Sequence, residues 1–257
     1  MCMERITSKT NQLVKDIKRL ITSSKERAEK RLFVLEGARL CFDVLNSVYG
    51  VKYFLITDEA YARYSYEAAK LEEKSEKSFL ITAELAEKLG ETKNTQGVFA
   101  VCAMPEEKNL LGDKIIALDS VQDPANMGAI FRTAEALGID GIVIYNCCDI
   151  YNPKTLRASM GGVLRLTPVK SADLVKTLEG LKASHKIYST VPDSGAKPIT
   201  ELDFSDPCVC VIGNEANGVS DEVKAASDGL ITIPMMGNAE SLNASVAAAI
   251  TMWEMMR

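Results

Sequence analysis

Short apolar runs alternate with amphipathic stretches along almost the whole chain, and this alternation makes an α/β fold the expected class. In the first half, residues 31–37, 51–57, 78–82 and 97–104 read as strands, with helical stretches over 38–47, 59–77 and 83–90 between them. In the second half, strands are expected over 114–121, 140–146, 186–191, 207–215 and 229–235. Helices are expected there over 124–138, 152–162, 171–185, 220–227 and 241–257, the last with Ser241 at its N-cap. Strands connected through helices favour a largely parallel sheet. The stretch 104–114 holds Pro105, Gly112 and two adjacent acids and is the best linker, so the chain divides into domains 1–106 and 107–257.

Charge is unevenly spread. The 257 residues carry 30 Lys and Arg against 35 Asp and Glu, net −5, which by itself argues against a nucleic-acid partner. Residues 113–257 are net −6, however, and residues 1–39 are net +5. Within that leading segment Leu13, Ile17, Leu20 and Ile21 recur at helical spacing, so one face packs inward and the other carries Lys and Arg. Such a face is either a solvated helix surface or an arm that contacts phosphates.

Several chemistries are excluded. No apolar run reaches the roughly 18 residues of a membrane helix, and the first residues carry charges where a signal peptide has an apolar core, which reads as a cytoplasmic protein. The seven cysteines lack any C-x-x-C spacing and have one histidine, His185, for company, so they read as reduced thiols and no zinc site is expected. His185 reads as a packed or surface histidine. The segment 213–220 is spaced like a phosphate loop but has Val219 where the lysine is required. There is no dinucleotide glycine pattern and no G-x-S-x-G elbow.

Three loops at expected strand ends are left: 122–132, 213–218 and 233–243. They bring Asn126, Arg132, Glu215, Asn217, Asn238, Ser241 and Asn243, with Gly128, Gly213 and Gly218 permitting close backbone approach. Taken singly, these residues read as turn residues, a helix cap and an ion pair between Arg132 and Glu215.

In order and spacing, the segments 119–144, 211–223 and 231–250 resemble the three motifs of the SpoU (TrmH) family of RNA ribose 2′-O-methyltransferases, in the SPOUT superfamily. Residues 154–169, with Met160 and Gly162, resemble the segment between the motifs, and 5–40 is similar to the L30e-like substrate-binding domain often placed ahead of them. The resemblance implies an L30e-like α/β/α domain followed by an α/β-knot domain, a parallel sheet whose C-terminal segment threads a trefoil knot. It implies S-adenosyl-L-methionine as methyl donor, held by Gly213, Ile233 and Leu242, and explains why no phosphate loop is needed. Arg132 would stabilise the developing ribose alkoxide, with Asn126 orienting it, and Glu215, Ser241 and Asn243 would complete the shell around the ribose. Structured RNA, ribosomal sooner than transfer RNA, and a homodimer through the C-terminal helix are the implied partners. A non-catalytic RNA-binding module and a small-molecule transferase are the competing classes.

Overall fold

The structure is a computed structural model describing residues 3–92, 95–106 and 112–257. Cys2 and the centre of the expected linker, 107–111, lie outside the described residues. The chain forms two compact units, one running to Glu106 and including Tyr151–Arg157, the other comprising the remainder.

The first unit runs β1 (Glu4–Ile6), α1 (Gln12–Thr22), α2 (Ser24–Lys30), β2 (Leu32–Glu36), α3 (Ala38–Asp43), β3 (Val51–Thr57), α4 (Asp58–Arg63), α5 (Ser65–Lys74), β4 (Ser75–Ile81), α6 (Ala83–Leu89) and β5 (Val98–Ala103). Asn11 starts α1 by accepting the Leu13 N–H, and Val14, Ile17, Leu20 and Ile21 bury its inner face. The sheet order is β1-β4-β3-β5-β2. It is mixed: β1, β4 and β3 are parallel, whereas β5 runs antiparallel to both β3 and β2. The expectation of a largely parallel sheet is therefore corrected here. Apolar runs such as 98–103 specify burial on both faces and carry no information about direction.

The single helix expected over 59–77 is two helices and the start of a strand. It breaks at Tyr64, whose ring meets Phe42 edge-on with centroids 5.7 Å apart. It stops at Lys74, whose ammonium donates to the carbonyls of Val44 and Ser47 at 2.6 and 3.2 Å.

The leading basic segment is less available than its charge suggests. Arg5 makes paired hydrogen bonds to Asp58, Lys9 pairs with Glu84, and Lys18 with Glu91. Arg27 is 2% exposed and donates to the Leu20 and Ile21 carbonyls, satisfying the end of α1. Of the ten cations in 1–39, only Lys15 and Arg39 lack a polar partner among the described residues.

In the second unit lie β6 (Lys114–Asp119), α7 (Pro124–Leu137), β7 (Gly141–Tyr145), α8 (Pro153–Ser159, its first five residues in the first unit), α9 (Gly162–Arg165), β8 (Val169–Lys170) and α10 (Leu174–Leu181). There follow β9 (Lys186–Thr190), β10 (Lys197–Pro198), β11 (Cys208–Ile212), α11 (Asp221–Ala226), β12 (Gly229–Thr232) and α12 (Ala244–Met256). All seven strands, in the order β10-β12-β9-β11-β6-β7-β8, pair in parallel. Ile116, Leu118, Val209 and Val211 are among the residues that this arrangement buries on both sheet faces. After β12 the chain returns across the sheet, and α12 packs on α7 next to β6 and β11. Asp123 caps α7 by accepting the Ala125 and Asn126 N–H groups at 2.6 and 3.1 Å, and left-handed Gly138 closes it. The cap of α12 is Asn243, not Ser241: Asn243 Oδ1 accepts from the Ser245 and Val246 N–H groups. Both are good cap residues, and the seating of α12 on α7 decides between them.

Candidate active site

The site lies at the carboxyl ends of β6, β11 and β12, where open α/β sheets bind their ligands. Gly213, directly after β11, is at the tightest point. A Cβ on it would lie 2.1 Å from the Gly218 carbonyl carbon and the Val219 nitrogen, so a side chain is sterically forbidden. Asn214 and Gly218 exchange two backbone hydrogen bonds of 2.9 Å across this turn, and Gly218 has φ +69°. Asn217 is a turn residue, its N–H held by Asn214 Oδ1 at 3.1 Å.

Glu215 projects from the same turn to the start of α7. Its carboxylate accepts from the N–H groups of Gln122 and Asp123 at 3.1 and 3.0 Å and from Asn126 Nδ2 at 3.1 Å. Partial burial would raise the Glu215 carboxyl, but the donors of Asp123, Asn126 and Gln122 outweigh it and hold the carboxyl below its ordinary range. Asn126 Oδ1 in turn accepts from Asn243 Nδ2 at 3.0 Å. Glu215, Asn126 and Asn243 thus form one chain of hydrogen bonds joining the three loops.

Arg132 stands apart. It is exposed, two turns further along α7, and has no hydrogen bond or ion pair among the described residues. The expected orientation of Arg132 by Asn126 is not present, and neither is the ion pair of Arg132 with Glu215. Both polar ends of Asn126 are engaged by Glu215 and Asn243. Six residues of helix separate Asn126 and Arg132 by about 120° and about 9 Å of rise. The backbone carrying Arg132 is fixed from the other side, because a Cβ on Gly162 would lie 2.7 Å from the Phe131 carbonyl oxygen.

In the third loop Ile233 is half-buried, Leu242 is 36% exposed, and Ser241 and Asn238 are exposed without a hydrogen bond to any described residue. Cys147 and Cys148 follow β7 nearby, but burial pushes their thiols up to about 11 and about 12, so neither is a nucleophile at neutral pH. His185 lies away from the three loops, bonded to Ser184 Oγ and the Gly112 carbonyl.

Sequence reading passed over Asp119, Ser120, Gln122 and Asn214. A buried carboxylate at a strand end was the available signal for the first: Asp119 is 2% exposed and binds Ser220. The backbone donors of Gln122 and Asp123 have no signature in residue type.

Residues 113–253 match the SpoU rRNA Methylase family, and residues 11–100 match the MRM3-like substrate binding domain. The chain belongs to the SpoU rRNA methylase family. It is 36% identical, over 98% of its own length and 99% of the relative's, to the 23S rRNA (guanosine(2553)-2′-O)-methyltransferase RlmP of Bacillus subtilis. Among solved structures it is similar to the AdoMet-bound rRNA methyltransferase of Sinorhizobium meliloti, with a TM-score of 0.88 at 29% identity, covering 98% of this chain and 97% of that one. The SpoU methyltransferase AviRb of Streptomyces viridochromogenes, in complex with AdoMet, aligns with a TM-score of 0.83 at 26% identity over 96% of this chain and 97% of that one. The α/β fold with its parallel sheet is thus that of SpoU enzymes, and this chain is an RNA methyltransferase.

Proposed function

We propose that the chain transfers a methyl group from S-adenosyl-L-methionine to a ribose 2′-hydroxyl of ribosomal RNA. The observation that carries this reading is the hydrogen-bonded joining of the three motif loops through Glu215, Asn126 and Asn243 beside the glycine turn at 213. The residues fit that cofactor: a turn stripped of side chain at Gly213, with half-buried Ile233 and exposed Leu242 in the third loop, suits an uncharged adenine edge, and no phosphate loop is built. The cofactor, when bound, supplies a methyl electrophile on a sulfonium centre.

The chain's own residues align the alcohol and stabilise the charge left on it. Arg132, a guanidinium with no carboxylate partner among the described residues, its helix neighbour Glu135 being taken by Arg165, is the group assigned to the 2′-oxygen and its neighbouring phosphate. Glu215, engaged by three donors and held ionised, is a buttress of the loops and not a proton acceptor. Asn126 and Asn243 fix the start of α7 and of α12 at that buttress, and Ser241, exposed at the rim, is assigned to the ribose.

Ribosomal RNA is favoured over transfer RNA by the extent of the likenesses. The rRNA enzymes match over nearly the full chain, whereas the Aquifex aeolicus tRNA-modifying TrmH/SpoU enzyme aligns over 57% of it with a TM-score of 0.51. Residues 1–106 then bind the RNA and residues 107–257 carry out the transfer, in the cytoplasm where ribosomes are assembled. No helix among the described residues is long and apolar enough to cross a membrane. A homodimer through α12 is supported by its exposed stripe of Val246, Trp253 and Met256, with Leu242 exposed just before the helix and the tryptophan 59% exposed. Ribose-methylation mapping of total RNA from cells with and without the gene tests the reading: one methylation lost from ribosomal RNA is expected, and an unchanged map overturns it.

A further inference from the structure

Asp119 is a buried carboxylate of the second unit to which the transfer itself gives no task. Its Oδ2 accepts from the backbone N–H of Ser220 at 2.9 Å and from the Ser220 hydroxyl at 2.7 Å, and its Oδ1 accepts from Ser120 Oγ at 3.1 Å. No cation pairs with it among the described residues. The next residue, Ser120, is held in the left-handed region at φ +62° by its N–H bond to the Tyr145 carbonyl. The Ser120 carbonyl accepts from Asn214 Nδ2 at 2.8 Å. Two consecutive residues at the end of β6 therefore grip both ends of loop 214–220, one through a main-chain carbonyl and the other through a side-chain carboxylate.

Burying a carboxylate is costly unless hydrogen bonds replace its water, and here the replacing donors are those of the loop. An apolar residue at 119 would avoid that cost but release the Ser220 end.

We propose that Asp119 is a positioning residue for the cofactor, clasping the Ser220 end of loop 214–220 so that the backbone at Gly213 is set before S-adenosylmethionine arrives. The inference rests on the assignment of that loop to the cofactor. Preorganisation of this kind acts on binding affinity and leaves the transfer step nearly untouched.

The test uses the full chain, calorimetric titration with S-adenosylmethionine, and methyl transfer to unmodified ribosomal RNA from cells lacking the gene. Asp119→Ala is expected to raise the Kd and the KM for the cofactor about 10–100-fold, the scale of losing hydrogen bonds to a charged group. The kcat at saturating cofactor stays within about threefold of the parent on this view, because Arg132 is not displaced. Asp119→Asn, which keeps one carbonyl acceptor, restores part of the affinity, and Ser220→Ala gives a smaller shift in the same direction. A merely structural role would lower the folded fraction and leave the Kd of the folded molecules unchanged. Folded Asp119→Ala with the parental Kd, or with lowered kcat at unchanged Kd, overturns the proposal. Should Asp119→Ala not fold, parental Kd values in both Asp119→Asn and Ser220→Ala overturn it equally. Failure of the parent protein to bind S-adenosylmethionine overturns instead the assignment of the loop, so the two failures are distinguishable.

Discussion

The Asn243 side chain donates to Oδ1 of Asn126 across 3.0 Å, joining two residues 117 positions apart in the chain. Asn243 is at the same time the N-cap of α12, so one residue both starts the last helix and fixes the first motif loop. These two tasks can be separated. Asn243→Asp keeps a cap oxygen for the Ser245 and Val246 N–H groups but cannot donate to Asn126, and it brings a negative charge towards Glu215. It is expected to hold the thermal midpoint close to that of the parent while losing most methylation. Asn243→Ala should lose about 1 kcal/mol of stability as well. Thermal melts and transfer assays on the two variants check the separation.

Arg132→Ala removes an exposed side chain that has no partner among the described residues, so stability should be unchanged within about 0.5 kcal/mol. Methyl transfer should fall by about 100-fold or more, the scale of removing one group that stabilises developing negative charge. Calorimetry should still show cofactor binding, and a fully active variant would contradict the role given to Arg132.

Gly213→Ala places a methyl group 2.1 Å from the backbone of Gly218 and Val219, which no side-chain adjustment can relieve. Cofactor binding should be lost, with about 1–3 kcal/mol of destabilisation from the strain. Gly162→Ala pushes instead on the Phe131 carbonyl and should reduce transfer while sparing cofactor affinity.

The depressed carboxyl of Glu215 has a defined consequence for acid stability. A group whose folded value lies below its unfolded value, about 4.5 here, contributes stability above that pH and loses it as the pH falls through the folded value. Glu215→Gln should therefore melt lower than the parent near neutrality, and the gap should close as the pH drops below about 4.5. Melts taken across pH 3–7 read the difference, and a gap that widens in acid would refute the assignment.

Trp253→Glu puts a charge into the exposed stripe of α12. Light scattering at micromolar concentration should show a dimer for the parent and a monomer for the variant. On the RNA side, Lys15→Ala and Arg39→Ala should each weaken RNA binding and reduce the slope of log affinity against log salt by about 1. The paired cations Arg5, Lys9 and Lys18 should contribute less.

Much of the fold could be read locally. Asp123, Pro124 and Gly138 mark both ends of α7 because capping is settled within a few residues of chain. The motif loops were recognisable as a set, but the expected orientation of Arg132 by Asn126 was misplaced, because six residues of helix set the two about 120° apart and Asn126 is taken by Glu215 and Asn243. The antiparallel course of β5, the break at Tyr64 and the choice of Asn243 over Ser241 as cap were not legible. Each depends on what an element packs against, and residue type does not encode that.

Alternation of apolar and amphipathic stretches, motif order and cap chemistry determined by themselves that this is an α/β chain of the SpoU kind with its chemistry at the strand ends. Tertiary structure alone decided which polar groups meet. Glu215 takes the N–H groups of Gln122 and Asp123, Asp119 takes Ser220, and three of the leading cations pair with acids 53 to 75 residues later. The reason is physical: backbone preferences act over a few residues, whereas a hydrogen bond or ion pair between distant groups exists only once packing has brought them within about 3 Å.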